Sequence, residues 1–498
     1  MPHLFVIAVL VSLSLAGGAG VVGSGEGGEA VHTWADGLIP TGAAPWARSA
    51  VILAPFLAIA VAAWAGNHLC IRAIDRRGRV GAVRWSSRVI LLARTAALGW
   101  HMVSVFALGL LGLVRTLTGD LVLVDELIAS APAFGVLLLT YRLAHPIERR
   151  IRDAMMIRTL DEGRPVYAFP TPWRYVLGAA RNSLAIMFVP LVLILGWSDL
   201  LDRAVPHIAW PGWLPEAGRS GAPAAIRLAG SIAIFALVPP VMTRVWDTVP
   251  IPPGELRTGL ESLARAHRIR LRRFLIWRTG GSMLNGAVIG LVPWLRYIVL
   301  TDALLENLTE PEVEAVAAHE VAHVRKHHML WLAAAVLGSA LLVGEGAALG
   351  FMRAGWSDDA TAWSSAGVSL VAVVLVLGIV SRRFEWQADA FAARHLSESA
   401  GGTDEDASVI TGSGAHAMSA ALARVARLNG MPETRFTWRH GSIATRRRRL
   451  ARLVGTRADR MPIDGRVLVV KFCTLLGLGA GLWLLIAGFA GVWPYLEG

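Results

Sequence analysis

The amino-acid sequence predicts a polytopic α-helical membrane protein of about eight or nine spans, with polar segments outside the bilayer. Hydrophobic residues make up 54% of the 498 positions and charged residues 17%, whereas soluble domains contain about 25% charged residues. A span requires about 20 apolar residues. The candidate stretches are residues 4–22, 49–66, 89–114, 121–141, 183–200, 225–246, 329–350, 362–380 and 467–492.

The first apolar stretch is open to two interpretations. Residues 4–22 could be a cleaved secretory signal, since small residues lie near its end, but the segment before it lacks Lys and Arg. We therefore expect an uncleaved helix. The Gly-rich residues 22–30 and the Ser/Gly/Thr/Asp-rich residues 397–416 are expected to be irregular.

The distribution of arginine predicts the orientation. The chain contains 48 Lys and Arg residues and 36 Asp and Glu residues, and nearly all of the basic residues are Arg. They cluster in loops between the apolar stretches, which is typical of cytoplasmic loops near anionic lipid. We expect a multi-pass protein of the cell (inner) membrane, with membrane lipid and not nucleic acid as the partner of this charge. The loops expected in the cytoplasm are residues 67–88, 142–182, 247–328 and 381–466.

This topology divides the chain into membrane and cytoplasmic parts. A catalytic domain would be assembled from two cytoplasmic segments that a transmembrane hairpin separates. The expected parts are residues 1–246 with five or six spans, 247–328 as the first catalytic segment, 329–380 as the hairpin, 381–466 as the second catalytic segment, and 467–498 with the last span.

Residues 319–323, His-Glu-Val-Ala-His, predict one half of a metal site. On a helix His319 and His323 are four positions apart, so both imidazoles face one way and can hold one ion. Glu320 can take a proton from metal-bound water. A helix over residues 310–328 is expected, because Thr309 and Glu312 form a capping box and no Gly or Pro follows before Met329. The alternative is an ordinary polar helix that leaves a membrane.

A second pair of side chains could complete the site. Glu385 and Asp389 are again four positions apart, so Glu385 can be the third ligand of a His₂Glu site. Asp389 can accept the remaining ring N–H of a ligand histidine, although it could also ligate in place of Glu385. The hairpin returns Glu385 to the side of the membrane that His323 leaves. His327 is a further possible ligand, whereas Lys326 and His328 are expected among the lipid headgroups.

These motifs resemble the membrane zinc metallopeptidases that include the bacterial heat-shock protease HtpX, the CAAX prenyl endopeptidase and the mitochondrial OMA protease. Residues 308–320 look like the family's approach to its zinc helix, and residues 385–389 look like its glutamate motif. The resemblance implies a gluzincin that binds one Zn²⁺ per chain in a cytoplasmic zincin-like α+β domain.

Two further elements look like parts of that domain. Asn285, Gly286, Ala287 and Val288, followed by residues 298–304, are similar to the family's strand pair. The first strand could bind an extended substrate by strand addition, or it could be a plain core strand. His440, Gly441 and Ser442 followed by Arg446 look like the C-terminal element, with Gly441 in place of proline and the arginine uncertain by one position. His440 or Arg446 could stabilise the oxyanion.

The sequence therefore favours a zinc metalloendopeptidase that hydrolyses membrane-associated or misfolded proteins at the cytoplasmic face. A protein or peptide substrate is the expected partner. A sensor-transducer peptidase of a signalling pathway is an alternative, although the outside loops look short for a ligand domain. A catalytically silent scaffold or transporter is another alternative. The intact motif residues argue against it.

Overall fold

The computed structural model describes residues 2–22, 44–78, 81–161, 166–211, 216–399 and 409–489. Within these ranges the chain divides into two compact units, of which the first comprises Met1–Pro211 with Ala222–Trp246 and the second comprises Gly212–Gly221 with Asp247–Gly498. The first unit is helical. Its helices are α1 Pro2–Val22, α2 Pro45–Arg77, α3 Gly81–Phe106, α4 Leu110–Thr118, α5 Val124–Asp161, α6 Pro172–Ala179, α7 Ala185–Ala204, most of α8 Glu216–Leu237, and α9 Pro239–Val245.

The second unit combines helices with one small sheet. Its strands are β1 Thr248–Pro250, β2 Arg273–Trp277, β3 Gly286–Ile289 and β4 Tyr297–Thr301. Its helices are α10 Glu255–Ala266, α11 Asp302–Asn307, α12 Glu310–Arg325, α13 His328–Arg353, α14 Asp358–Ser399, α15 Gly412–Leu428, α16 Ile443–Ala451 and α17 Pro462–Phe489.

Long apolar helices confirm the predicted polytopic membrane fold. In the described ranges seven helices are long and apolar enough to cross a membrane, or eight if the bent pair α8 and α9 forms one span. The pair bends by 48° at Pro239, whose ring cannot continue a helix. The apolar part of α1, Pro2–Ala16, is shorter than a span.

Two predicted boundaries are wrong. The stretch 89–114 is not one helix, because α3 ends at Phe106 and Gly109 adopts a left-handed φ of 63° before α4 begins. The stretch 397–416 is not irregular at its ends, since α14 continues to Ser399 and α15 begins at Gly412. Its centre, residues 400–408, and the Gly-rich residues 23–30 lie outside the described ranges.

The first unit packs around small and aromatic side chains. Phe134 of α5 makes edge-on contacts with Phe5 of α1 at 6.2 Å and with Phe188 of α7 at 5.3 Å, measured between ring centroids. Ala97 and Ala133 are fully buried where α3 meets α5. Small residues at such contacts allow two apolar helices to approach closely.

The sheet of the second unit has the strand order β1-β2-β4-β3. Strand β4 pairs parallel to β2 and antiparallel to β3, which makes β3 an edge strand. The predicted strand pair therefore forms with other bounds, since Asn285 precedes β3 and residues 302–304 belong to α11. All five residues of β4 are buried, as expected of a central strand. Helix α12 packs against β3, α14 and α15, and its alanines are fully buried: Ala315, Ala317, Ala318 and Ala322.

A pair of long helices links the two halves of the second unit. Helices α13 and α14 form a hairpin, and α14 is a single helix of 42 residues that contains the apolar stretch and Glu385. Helix α17 packs against α13, where Gly338 meets the backbone of Leu478 and Gly481 meets the backbone of Leu342. A side chain at either glycine would force the helices apart.

One interruption in this unit was not expected. The sequence predicted a helix over residues 310–328 that runs into the next span, but α12 ends at Arg325 and α13 begins at His328. His327 adopts a left-handed φ of 57° between them. The break changes the direction of the chain and therefore the face on which His328 lies.

Candidate metal centre

The start of α12 positions the motif as the sequence predicts. The carboxylate of Glu312 accepts the backbone N–H of Thr309 at 2.9 Å, which forms part of a capping box. Pro311 lies in the first turn, where its missing N–H costs nothing. The helix then continues unbroken through His319 and His323, so both imidazoles project from one side.

Three side chains converge where the helix faces α14. His319, His323 and Glu385 each offer a ligand atom, and these atoms lie within 4.8 Å of one another. Nε2 of His319 is 3.3 Å from Nε2 of His323 and 3.6 Å from Oε2 of Glu385, and Nε2 of His323 is 3.8 Å from Oε1. Ligands at zinc distances in a tetrahedron lie about 3.3–3.6 Å apart. The donor set and its spacing therefore fit a zinc ion.

The electrostatics of the site also suit a cation. Burial disfavours a charge on His319, yet its contacts with Asp389 and Glu385 raise its pKa to about 10. Burial lowers the pKa of His323 well below the ordinary value. The carboxylates thus favour a positive charge at this point, and a divalent ion would supply it.

Glu320 lies beside the three converging side chains and is held by the edge strand. Its Oε2 accepts the backbone N–H of Val288 in β3 at 3.2 Å. Burial raises the pKa of Glu320 to about 7, which is the range that suits a general base at neutral pH. Gly286 allows this approach, because a Cβ there would lie 2.9 Å from Cγ1 of Val316 and 3.6 Å from Cγ of Glu320.

Asp389 and the C-terminal element surround the three converging side chains. Oδ1 of Asp389 is 3.1 Å from Nδ1 of His319, and Nη1 of Arg446 is 3.0 Å from Oε2 of Glu385. Nδ1 of His440 is 3.0 Å from Oε1 of Glu385, while half of the His440 side chain stays exposed. Asp389 therefore lies behind His319, and both His440 and Arg446 contact the carboxylate of Glu385.

The four consecutive arginines from Arg446 to Arg449 have different surroundings. Arg446 is buried at the site, whereas Arg447 pairs with Glu433 and Arg449 lies over the ring of Trp386. Arg448 is held by Thr445. Only the first arginine of the run faces Glu385.

The two histidines that follow the motif have different surroundings, and only His328 lies elsewhere than the sequence predicted. His327 is exposed at the helix break and is not among the three candidate ligands. His328 was expected among the headgroups but is only 2% exposed, and its Nδ1 lies 2.9 Å from Nδ1 of His323. Sequence reasoning missed this contact, because a residue five positions along a continuous helix does not face its starting residue.

A cavity of about 390 Å³ opens beside the candidate ligands. It is lined by residues 285–288, at the start of the edge strand, and by apolar residues of α15. Glu320 and His440 also line it. The cavity therefore brings β3, the three candidate ligands and Glu320 to one surface.

Known proteins resemble this part of the chain. Residues 251–453 match the protein-family model described as Peptidase family M48. A stretch of 91 residues is 34% identical to the Probable CAAX prenyl protease 1 of Schizosaccharomyces pombe, over 18% of this chain and 19% of that protein. A stretch of 250 residues is 29% identical to the CAAX prenyl protease 1 homolog of Arabidopsis thaliana, over 47% of this chain and 56% of that protein.

A solved structure is also similar. The crystal structure of S. mikatae Ste24p aligns with a TM-score of 0.47 and 16% identity, over 82% of this chain and 98% of that chain. The chain spans about half the length of the plant relatives that it matches, CAAX prenyl protease 1 homologs of Arabidopsis thaliana and Oryza sativa. The family match covers both segments that supply the site, and it confirms the resemblance seen in the motifs. Residues 251–453 of this chain are therefore similar to the proteins of peptidase family M48.

Proposed function

We propose that this chain is an integral-membrane zinc endopeptidase that hydrolyses membrane-associated or misfolded proteins at the cytoplasmic face. The observation that carries the proposal is the convergence of His319, His323 and Glu385, with Glu320 next to them and held by Val288. Three protein ligands and one open position are the pattern of a catalytic zinc site.

The residues would divide the chemistry as follows. His319, His323 and Glu385 would hold zinc, which polarises a carbonyl and lowers the pKa of water to about 7. Glu320 takes the proton of the attacking water on its carboxylate and delivers it to the leaving amine. The N–H of Val288 keeps that carboxylate in place. Asp389 orients His319, and the exposed half of His440 can donate a hydrogen bond to the developing oxyanion.

The substrate would bind as an extended peptide. Strand β3 is an edge strand and borders the cavity through Asn285, Gly286, Ala287 and Val288, so a peptide can add to it by backbone hydrogen bonds. The apolar wall, which includes Met418, Leu422 and Val425, would accept an apolar side chain next to the scissile bond.

The orientation follows from the loops. The arginine-rich segments that contribute the site precede α13 and begin after the apolar part of α14, and such segments remain on the cytoplasmic side. The site would then face the cytoplasm of a cell that carries this protein in its inner membrane.

Purified full-length protein in detergent tests the proposal. We expect about one zinc ion per chain and cleavage of an unfolded protein such as casein that stops with 1,10-phenanthroline and returns with added zinc. A folded protein that binds no zinc and cleaves nothing would support the scaffold or transporter instead.

A second candidate is the processing of prenylated proteins, which the names of the relatives favour, since these are CAAX prenyl proteases. Two synthetic peptides of one sequence, with and without a prenyl group on cysteine, separate the candidates. Faster cleavage of the prenylated peptide favours the second, and equal cleavage favours the broader specificity.

A further inference from the structure

The side chain of His328 is buried against a candidate metal ligand and takes no part in the chemistry above. It is 2% exposed, and its ring stacks on Phe384 with centroids 4.4 Å apart and an interplanar angle of 1°. The helix break at His327 brings it there. Its Nδ1 lies 2.9 Å from Nδ1 of His323.

The chemistry of His323 decides which nitrogen carries the proton in this contact. Nε2 of His323 faces His319 and Glu385 at 3.3 and 3.8 Å, so Nε2 is its ligand atom. A ligating nitrogen carries no proton, and the neutral ring therefore holds its proton on Nδ1. That N–H donates to Nδ1 of His328, which must then be unprotonated.

The hydrogen bonds beyond His328 run in the same donor-to-acceptor direction, away from the site. With Nδ1 as an acceptor, His328 holds its proton on Nε2, and this N–H donates to Oε1 of Gln387 at 2.8 Å. The amide nitrogen of Gln387 in turn donates to Oδ1 of Asp464. Asp464 is partly exposed and pairs with Lys326 at 3.5 Å. Each donor thus meets one acceptor, from His323 to the surface.

The two candidate histidine ligands therefore have different partners. A carboxylate, Asp389, lies behind His319, whereas a neutral imidazole lies behind His323. Partners of this kind fix the tautomer and the ring orientation of a ligand.

We propose that His328 is a positioning residue for His323, held in its accepting tautomer by Gln387 and Asp464. The proposal rests on the zinc site of the proposed function. It adds a residue on the membrane-side helix α13 whose role is to keep Nε2 of His323 directed at the ion.

Two substitutions separate hydrogen bonding from packing. His328→Phe keeps a ring that can stack on Phe384 but removes the acceptor. His328→Asn loses the ring but offers its amide oxygen near the position of Nδ1. His327→Asn serves as the control, because it removes a neighbouring histidine that is exposed, and Asn tolerates the left-handed conformation.

The measurements are zinc retention of the full-length protein against a graded chelator and the visible spectrum of the Co²⁺-loaded protein. We expect His328→Phe to weaken retention by about 10–100-fold and to change the spectrum. His328→Asn should retain most of the affinity, and His327→Asn should match the parent. If His328→Phe is not monodisperse, Gln387→Leu replaces it. We expect Gln387→Leu to weaken zinc retention as well, but by less.

The outcomes are distinguishable from those of the proposed function. A parent protein that binds no zinc would refute the zinc site itself. A parent that binds zinc, with His328→Phe equal to it in retention and spectrum, would overturn the role of His328 alone. If His328→Asn loses zinc more easily than the parent while His328→Phe retains it, the role of His328 is in packing, and the proposal is overturned as well.

Discussion

Arg446 donates to both oxygens of Asp389, from Nε to Oδ2 at 2.7 Å and from Nη2 to Oδ1 at 2.5 Å. Its third nitrogen, Nη1, lies 3.0 Å from Oε2 of Glu385. One guanidinium therefore bridges the candidate ligand carboxylate and the carboxylate behind His319. Because all three nitrogens of Arg446 contact these carboxylates, we propose that Arg446 organises the site and that His440 is the better placed of the two for an oxyanion.

The first prediction concerns this bridge. Arg446→Gln leaves two buried carboxylates without their cation, and loss of one partner of a buried ion pair costs about 3–5 kcal/mol. We expect a markedly lower unfolding temperature in detergent. Arg446→Lys keeps the charge but not the two-point contact, so its unfolding temperature should fall by less. Arg447→Gln is the control. An equal fall in the unfolding temperature of Arg447→Gln would argue against a special role for Arg446.

The second prediction concerns the ligand set. Glu385→Ala should strip zinc under mild chelation, because it removes a ligand. Asp389→Ala removes only the partner of His319 and should weaken binding by about 10–100-fold. His327→Ala should leave zinc content unchanged. Zinc per chain for the three variants at one chelator concentration is the measurement.

A reversed order would change the assignment. If Asp389→Ala loses the metal while Glu385→Ala keeps it, Asp389 is the ligand and Glu385 its support.

The third prediction concerns the edge strand. A methyl group at position 286 would lie 2.9 Å from Val316 and 3.6 Å from Glu320, so Gly286→Ala should displace β3 from the base. We expect lower cleavage with zinc content unchanged. Gly259→Ala is the matched control, since nothing lies within 4 Å of a Cβ there. Parental activity in Gly286→Ala would show that the distance from β3 to Glu320 is not critical.

The fourth prediction concerns topology. A reporter fused after Arg265 should report the cytoplasm, and one fused after Asp359, which lies at the start of α14, should report the outside. The reason is the proposed membrane crossing of α13 between these two positions. Reporters on the same side at both positions would contradict a membrane-crossing hairpin.

Interactions between residues close together in the sequence account for much of what the sequence predicted. The spacing of His319 and His323 and the capping box of Thr309 depend only on neighbours along one helix. The apolar stretches indicated most membrane helices because length and composition suffice for that. The strand pair could be anticipated from its resemblance to a family.

Tertiary contacts account for what the sequence did not predict. The break at His327 has no Gly or Pro to mark it, so a continuous helix was the reasonable expectation. The contact of His328 with His323 depends on that break, and its partners Gln387 and Asp464 come from two other helices. No single stretch of sequence carries a signal for such a chain of hydrogen bonds.

The central claim is most directly tested by measuring zinc content and cleavage together for Glu320→Gln. Glu320 is not among the three candidate ligands, so the variant should bind as much zinc as the parent. It lacks the proton acceptor, so cleavage should fall by at least about 100-fold. A zinc-loaded Glu320→Gln protein that cleaves at the parental rate would contradict the account.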